Sequence, residues 1–199
     1  MLGSGFIKII NSSTGTGHMV DCGSISIVRE LFINDDTKIW LITDLYGKFF
    51  PSEPPSTWLI TCIRGLGFHH FKRLFSKNIP PQIQLIILLV GINNKLFPNV
   101  VSTGLNCLRN IFSGPIFCCE VQYDKFENSL VTNNIKSINV DLKRIVQELF
   151  IPLPHCMIEL SRGGSEVNPY YAPDAIHFTR RTAVFVFNHI CAYVGMVNF

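Results

Sequence analysis

Apolar residues fall along this chain in short closed runs separated by turn-forming residues. The runs Lys38–Thr43 (KIWLIT), Thr57–Ile63, Gln82–Val90 (QIQLIILLV) and Pro115–Val121 are nearly continuous rather than alternating. That is the pattern of strands buried on both faces, and the longest, Gln82–Val90, predicts the centre of the sheet. Helical spacing predicts the intervening elements: Phe68–Phe75, then Val101–Phe112 through Leu105, Leu108 and Ile111. A long amphipathic helix is predicted over Val131–Phe150, with Ile135, Ile138, Leu142, Ile145, Val146 and Leu149 on one stripe. Met157–Leu160 is expected as a fifth strand, and Thr179 as the cap of a last helix with Ala183, Val184, Phe187 and Ile190 inward. Strand and helix alternate from Lys38 onward, which predicts an α/β fold with a parallel sheet and helices on both faces.

Residues 1–37 fit this alternation poorly. Phe6–Ile10 reads as a short strand, Ser24–Phe32 as a strand or short helix, and Asn34 to Asp36 as a turn. The Ser12–Gly17 stretch invites a phosphate-loop reading but lacks the lysine that such a loop needs, so a turn is expected. The expected organisation is an N-terminal extension over 1–37 and one domain over 38–199.

Composition narrows the class. A chain of 199 residues that is 47% hydrophobic, with 16 phenylalanines and 16% charged residues, builds one sizeable core. Mean hydropathy is +0.29, yet the longest apolar run, around Leu85–Val90, is far shorter than the roughly 20 residues of a spanning helix. The first residues lack a signal peptide's long apolar core and cleavage site. A net charge of +3 is mild. Lys72, Arg73 and Lys77, like Arg180 and Arg181, are expected on solvated helix faces and do not indicate a nucleic-acid partner. The seven cysteines (Cys22, Cys62, Cys107, Cys118, Cys119, Cys156, Cys191) show no metal-ligand spacing. Free thiols, an intracellular setting, no metal and no cofactor are the expectation.

Chemistry is expected beyond the carboxyl ends of the strands, where open parallel sheets bind ligands. Thr43, Asp44 and Leu45 follow the first strand, Gly65 the second, and Gly91, Ile92 and Asn93 the third. Asp174 and His177 lie in the loop entering the last helix, a spacing that lets a carboxylate hold an imidazole as base. A surface turn in which Asp174 only caps the helix is the plain alternative. Glycine and asparagine amides are suitable donors to a developing oxyanion, and equally ordinary residues at strand exits. The adjacent His69 and His70 are expected to point apart on a helix, as surface and packing residues. His18, His155 and the Cys118–Cys119 pair carry no evident chemistry.

In combination, the pattern over Lys38–Val194 resembles the SGNH (GDSL-like) hydrolase family. In that family the blocks are Gly-Asp-Ser with a nucleophilic serine, a glycine, Gly-x-Asn, and Asp-x-x-His. Gly65 matches the second block, Gly91 and Asn93 the third, and Asp174 with His177 the last. The wording GINNK and DAIHFTRRTA is particularly similar to SGNH-like domains of vertebrate retroelements and related viral reading frames. The resemblance implies a three-layer flavodoxin-like fold with strand order 2-1-3-4-5. It also implies Asp174 and His177 as catalytic pair, with Asp44, Gly65, Gly91 and Asn93 around the ligand.

The first block departs from the family. Asp44 is kept, but Leu45 stands where the serine would be, and a hydrocarbon side chain has no lone pair with which to attack a carbonyl. Three readings follow. The first is an inactive module that still binds an acyl, acetylated-sugar or carboxylate ligand. The second is an active esterase or acetylesterase using another serine or threonine, with Thr43, Ser52 and Ser56 nearest in sequence, or the phenol of Tyr46. The third, a flavodoxin-like nucleotide- or partner-binding domain, leaves Asn93, Asp174 and His177 unexplained. Sequence gives no oligomeric state.

Overall fold

The computed structural model describes residues 5–11, 17–23, 29–75, 79–95, 98–122, 129–154 and 178–196, with side chains from Ile33 onward, Leu45 excepted. Its centre is a parallel sheet of five strands: β4 (Ile39–Thr43), β5 (Trp58–Cys62), β6 (Leu85–Leu89), β7 (Ile116–Cys119) and β8 (Phe150–Ile151). Their order is β5-β4-β6-β7-β8, which is 2-1-3-4-5 counted from Lys38. Every residue of β6 is buried, as the run LIILL requires of a strand with neighbours on both edges and cover on both faces.

Three helices follow the strands in turn: α1 (Phe71–Leu74), α2 (Val100–Arg109) and α3 (Ser129–Val146). Helix α2 packs against both α1 and α3, the one-face arrangement that the right-handed rule for parallel crossovers predicts. The last helix, α4 (Arg180–Met196), packs on the short 3-10 turn Leu45–Phe49. There Phe187 meets the rings of Phe50 and Trp58, with centroids 5.5 and 5.6 Å apart. Thr179 caps α4 as expected, its Oγ1 accepting from the Thr182 N–H at 3.3 Å. Ala183, Phe187 and Ile190 are buried, but Val184 is exposed. Val186 and Val194 complete the inward face instead, because the stripe follows the three- and four-residue steps from Ala183 through Val186.

Two element boundaries differ from expectation. The helix α3 stops at Val146, since Gln147 takes a left-handed φ of +52° and turns the chain into β8. Phe150 and Ile151 then pair with Cys118 and Cys119, so the sheet's fifth position is held there. The run Met157–Leu160, expected to fill it, lies outside the described residues. Helix α2 ends at Arg109, which leaves Ile111 exposed beyond it while Leu105 and Leu108 are buried.

Ahead of this unit, β1 (Gly5–Asn11), β2 (Gly17–Gly23) and β3 (Arg29–Ile33) form a separate sheet of order β2-β1-β3, and β2 lies against α1. Among the described residues no helix is long and apolar enough to cross a membrane.

Candidate active site

In the parallel ladder Thr43 stands opposite both Cys62 and Leu89, so the chain leaves β4, β5 and β6 at one level. Asp44 is the first residue past that level and is buried. Its Oδ1 accepts from the Tyr46 N–H at 3.0 Å, which caps the turn that Leu45 opens. Its carbonyl accepts from Thr43 Oγ1 at 3.1 Å and from Cys62 Sγ at 3.0 Å. Burial pushes the Asp44 carboxyl up to about 7, against the opposing pull of the Tyr46 and Gly91 N–H groups.

Asn93 links two of the strand exits. Its Nδ2 donates to Leu66 O at 2.9 Å and lies 3.5 Å from Asp44 Oδ2, at the outer limit of a hydrogen bond. Both hydrogens of that amide are therefore directed at acceptors within the chain. The two glycines hold conformations that other residues rarely adopt: φ is +74° at Gly65 and +146° at Gly91. A Cβ on Gly91 would also come within 2.5 Å of Val121 Cγ2, so the chain just past β7 closes against this exit.

A second cluster continues from the same loop. Asn94 is fully buried; its Oδ1 accepts from the Phe68 N–H at 2.8 Å and its Nδ2 lies 3.2 Å from His69 Nδ1. His70 Nδ1 accepts from the Gly67 N–H at 3.1 Å. The two imidazoles do not point apart: their centroids are 3.8 Å from each other. Phe68–His70 is a 3-10 turn rather than α-helix, and bonds from Gly67 and Asn94 draw both rings to one side. Burial lowers His69 below the usual imidazole range; burial and then the His69 charge lower His70.

The other candidate nucleophiles are occupied or remote. Thr43 is buried with its hydroxyl on Asp44 O, and Ser52 and Ser56 are exposed in the following loop. The Tyr46 hydroxyl donates to Gln122 O at 2.9 Å, and its ring stacks on Phe178 at 4.5 Å. Gln122 is itself fully buried, and its carboxamide has no hydrogen-bond partner among the described residues. Cys118 and Cys119 are both enclosed because the sheet is covered on both faces; burial raises Cys118 to about 12 and Cys119 well above the ordinary thiol range. Among the described residues no group of His, Cys, Asp and Glu is arranged to hold a metal. Asp174, His177 and His155 lie outside the described residues. Sequence reasoning passed over Asn94, whose burial shows only once the Phe68–His70 turn has folded onto it, and the bonds that tie His69 and His70 to this site.

No protein-family model and no curated protein matches the chain. Solved structures do. One from Streptococcus pneumonia, assigned as a platelet activating factor, is 15% identical with a TM-score of 0.62, over 79% of this chain and 83% of that one. An acetylxylan esterase from Geobacillus stearothermophilus is 11% identical with a TM-score of 0.57, over 80% and 94%. A psychrotrophic esterase from Pseudoalteromonas sp. is 9% identical with a TM-score of 0.56, over 80% and 97%. The chain has an SGNH-like hydrolase fold.

Proposed function

We propose that this is an SGNH-type domain whose cleft binds an acyl or acetylated small molecule, including acetylated sugars, without hydrolysing it. The observation that carries the reading is Leu45. It follows Asp44 and opens the turn at the carboxyl end of β4, where the family resemblance puts the serine. An acyl-enzyme route needs an oxygen or sulfur there, and leucine supplies neither. The amide of Asn93 supports the same reading, since both its hydrogens serve Leu66 O and Asp44 Oδ2 rather than an incoming oxyanion. Thr43 is spent on a backbone carbonyl, so it offers no replacement. Asp174 and His177 are retained in type, and Phe178, the residue after His177, lies on Tyr46 beside the same turn. The acyl ligand class follows from the esterases that share the fold. An intracellular setting fits the thiols of Cys118 and Cys119, which are free and enclosed. The narrower likeness to retroelement-encoded domains rests on GINNK and DAIHFTRRTA alone.

Hydrolysis of p-nitrophenyl acetate by the native protein is expected at background, with no serine labelled by a fluorophosphonate probe. Leu45→Ser is expected to raise the rate measurably, yet well short of the roughly 10²–10⁴-fold that a positioned base contributes. Native hydrolysis that disappears in His177→Ala would establish an active esterase with another nucleophile.

A further inference from the structure

His69 and His70 belong to no block of the family pattern, yet they are bonded to the loop that carries it. The Gly67 N–H donates into His70 Nδ1, so that nitrogen presents a lone pair and the neutral ring carries its hydrogen on Nε2. Asn94 fixes His69 in the same way. Its Oδ1 is taken by the Phe68 N–H, which turns its NH₂ toward His69 Nδ1. Both rings are thereby held as neutral Nε2–H tautomers. Neither can act as a base or bind a metal through Nε2, where the lone pair is absent.

We propose that His69 and His70 are positioning residues of the cleft, a proton-operated latch that holds the Gly65–His70 loop against Asn94 when both rings are neutral and releases it when they are protonated. A proton added at either Nδ1 faces an N–H group, donor against donor, and the bond to Gly67 or Asn94 must break. Centroids 3.8 Å apart make a second charge costlier than the first. Release reaches the cleft through Leu66, in the middle of the loop, because its carbonyl holds Asn93.

The surroundings favour the neutral state. Arg73 on α1 bears on His70, and α1 also carries exposed Lys72. The packed helix α2 has Cys107 and Arg109 as its titratable groups, Arg64 precedes the loop, and Lys95 follows Asn94. Among the described residues no carboxylate bears on either ring. The sign follows. Both folded values lie below the ordinary 6.5, so the latch contributes fully above that pH and is lost as pH falls through the folded values. The proposal concerns the cleft of the preceding section but rests on the bonds of this loop, not on the loss of the nucleophile, and fluorophosphonate labelling leaves it untouched.

Side-chain nitrogen NMR of the full chain tests it. At about pH 8 both rings should show Nε2–H. On acidification the Gly67 and Phe68 amides should move with the imidazole titration, and the Asn93 side-chain NH₂ should show that step in addition to the one from its neighbour Asp44, at about 7. Asparagine carries a carbonyl oxygen at the δ position, so the double variant His69→Asn with His70→Asn keeps the acceptors and removes the protons. Its Gly67 signal should be insensitive to pH across that range, and its Asn93 signal should keep only the step of neighbouring Asp44. An Nδ1–H on either ring overturns the proposal, as does an Asn93 pH profile identical in the native protein and the double variant, or a Gly67 response that survives in the double variant. If the double variant does not fold, the native tautomers and the coupled titration decide.

Discussion

Asp44 is a carboxyl group enclosed by protein and shared among N–H donors, and enclosure outweighs them. Its folded value of about 7 lies above the ordinary 3.8, so its contribution to stability is fully present below 3.8 and is lost as pH rises through about 7. The expected loss is on the order of a few kcal/mol, at 1.36 kcal/mol per pH unit shifted. Urea unfolding across this range should show the decline in the native protein and not in Asp44→Asn. The variant should also be about 1–3 kcal/mol less stable at low pH, since its NH₂ would meet other donors. A profile equally steep in both proteins would assign the decline elsewhere. This contribution runs opposite to that of the two histidines, so the two partly cancel in the overall pH profile. At this scale the sequence marked the residues that end strands, Asp44, Gly65, Gly91 and Asn93, because a polar residue or glycine after an apolar run is visible in one dimension. It did not mark Asn94, which looks identical to Asn93 in sequence. Only the fold shows that one of the pair is exposed at the cleft and the other is buried under it.

Among the elements, α3 packs on the sheet through Ile135, Ile138 and Leu142 and is also hydrogen-bonded to the exit of β7. Asn139 accepts from the Val121 N–H at 2.8 Å and donates to the Val121 carbonyl at 2.9 Å, occupying both backbone groups just past the end of β7. Asn139→Leu would leave both without a partner in a part-buried setting and should cost about 1–3 kcal/mol by chemical denaturation. A loss of a few tenths would mean that water replaces the amide. The strands were legible because continuous apolar runs have few other uses. Helix ends were less so. Leu149 continues the apolar stripe of Leu142, Ile145 and Val146 past the helix end, and periodicity cannot register that Gln147 turns with a positive φ. Strand β8 has two residues, too few to form any pattern. The pairing of His69 with His70 was hidden for a similar reason: adjacent positions diverge on an α-helix, and a 3-10 turn with outside bonds reverses that.

The whole molecule was legible in its layering and strand order, since alternation of buried strands and amphipathic helices admits few arrangements. Of the sheet of β1, β2 and β3, Phe6–Ile10 was legible as a strand, but β2 was not, because its sequence, GHMVDCG, is mixed in polarity. We propose that residues 38–199 are a unit in their own right. A fragment beginning at Asn34 should fold with native-like amide spectra, with a modest loss from removing Ile33, which is 3% exposed. A fragment that fails to fold would make β1–β3 part of the same cooperative unit.

The position of β6 also governs how the molecule comes together. Each of its neighbours is parallel, so no ladder in the main sheet closes through a hairpin, and each waits for a long crossover to be ordered first. Until β4 and β7 both dock, LIILL presents two unpaired edges and two apolar faces in a stretch without charge or proline. Folding is therefore slow in its closing steps while the chain's most self-associating segment stands open. The rate of assembly, and not only the final stability, decides how much protein escapes aggregation.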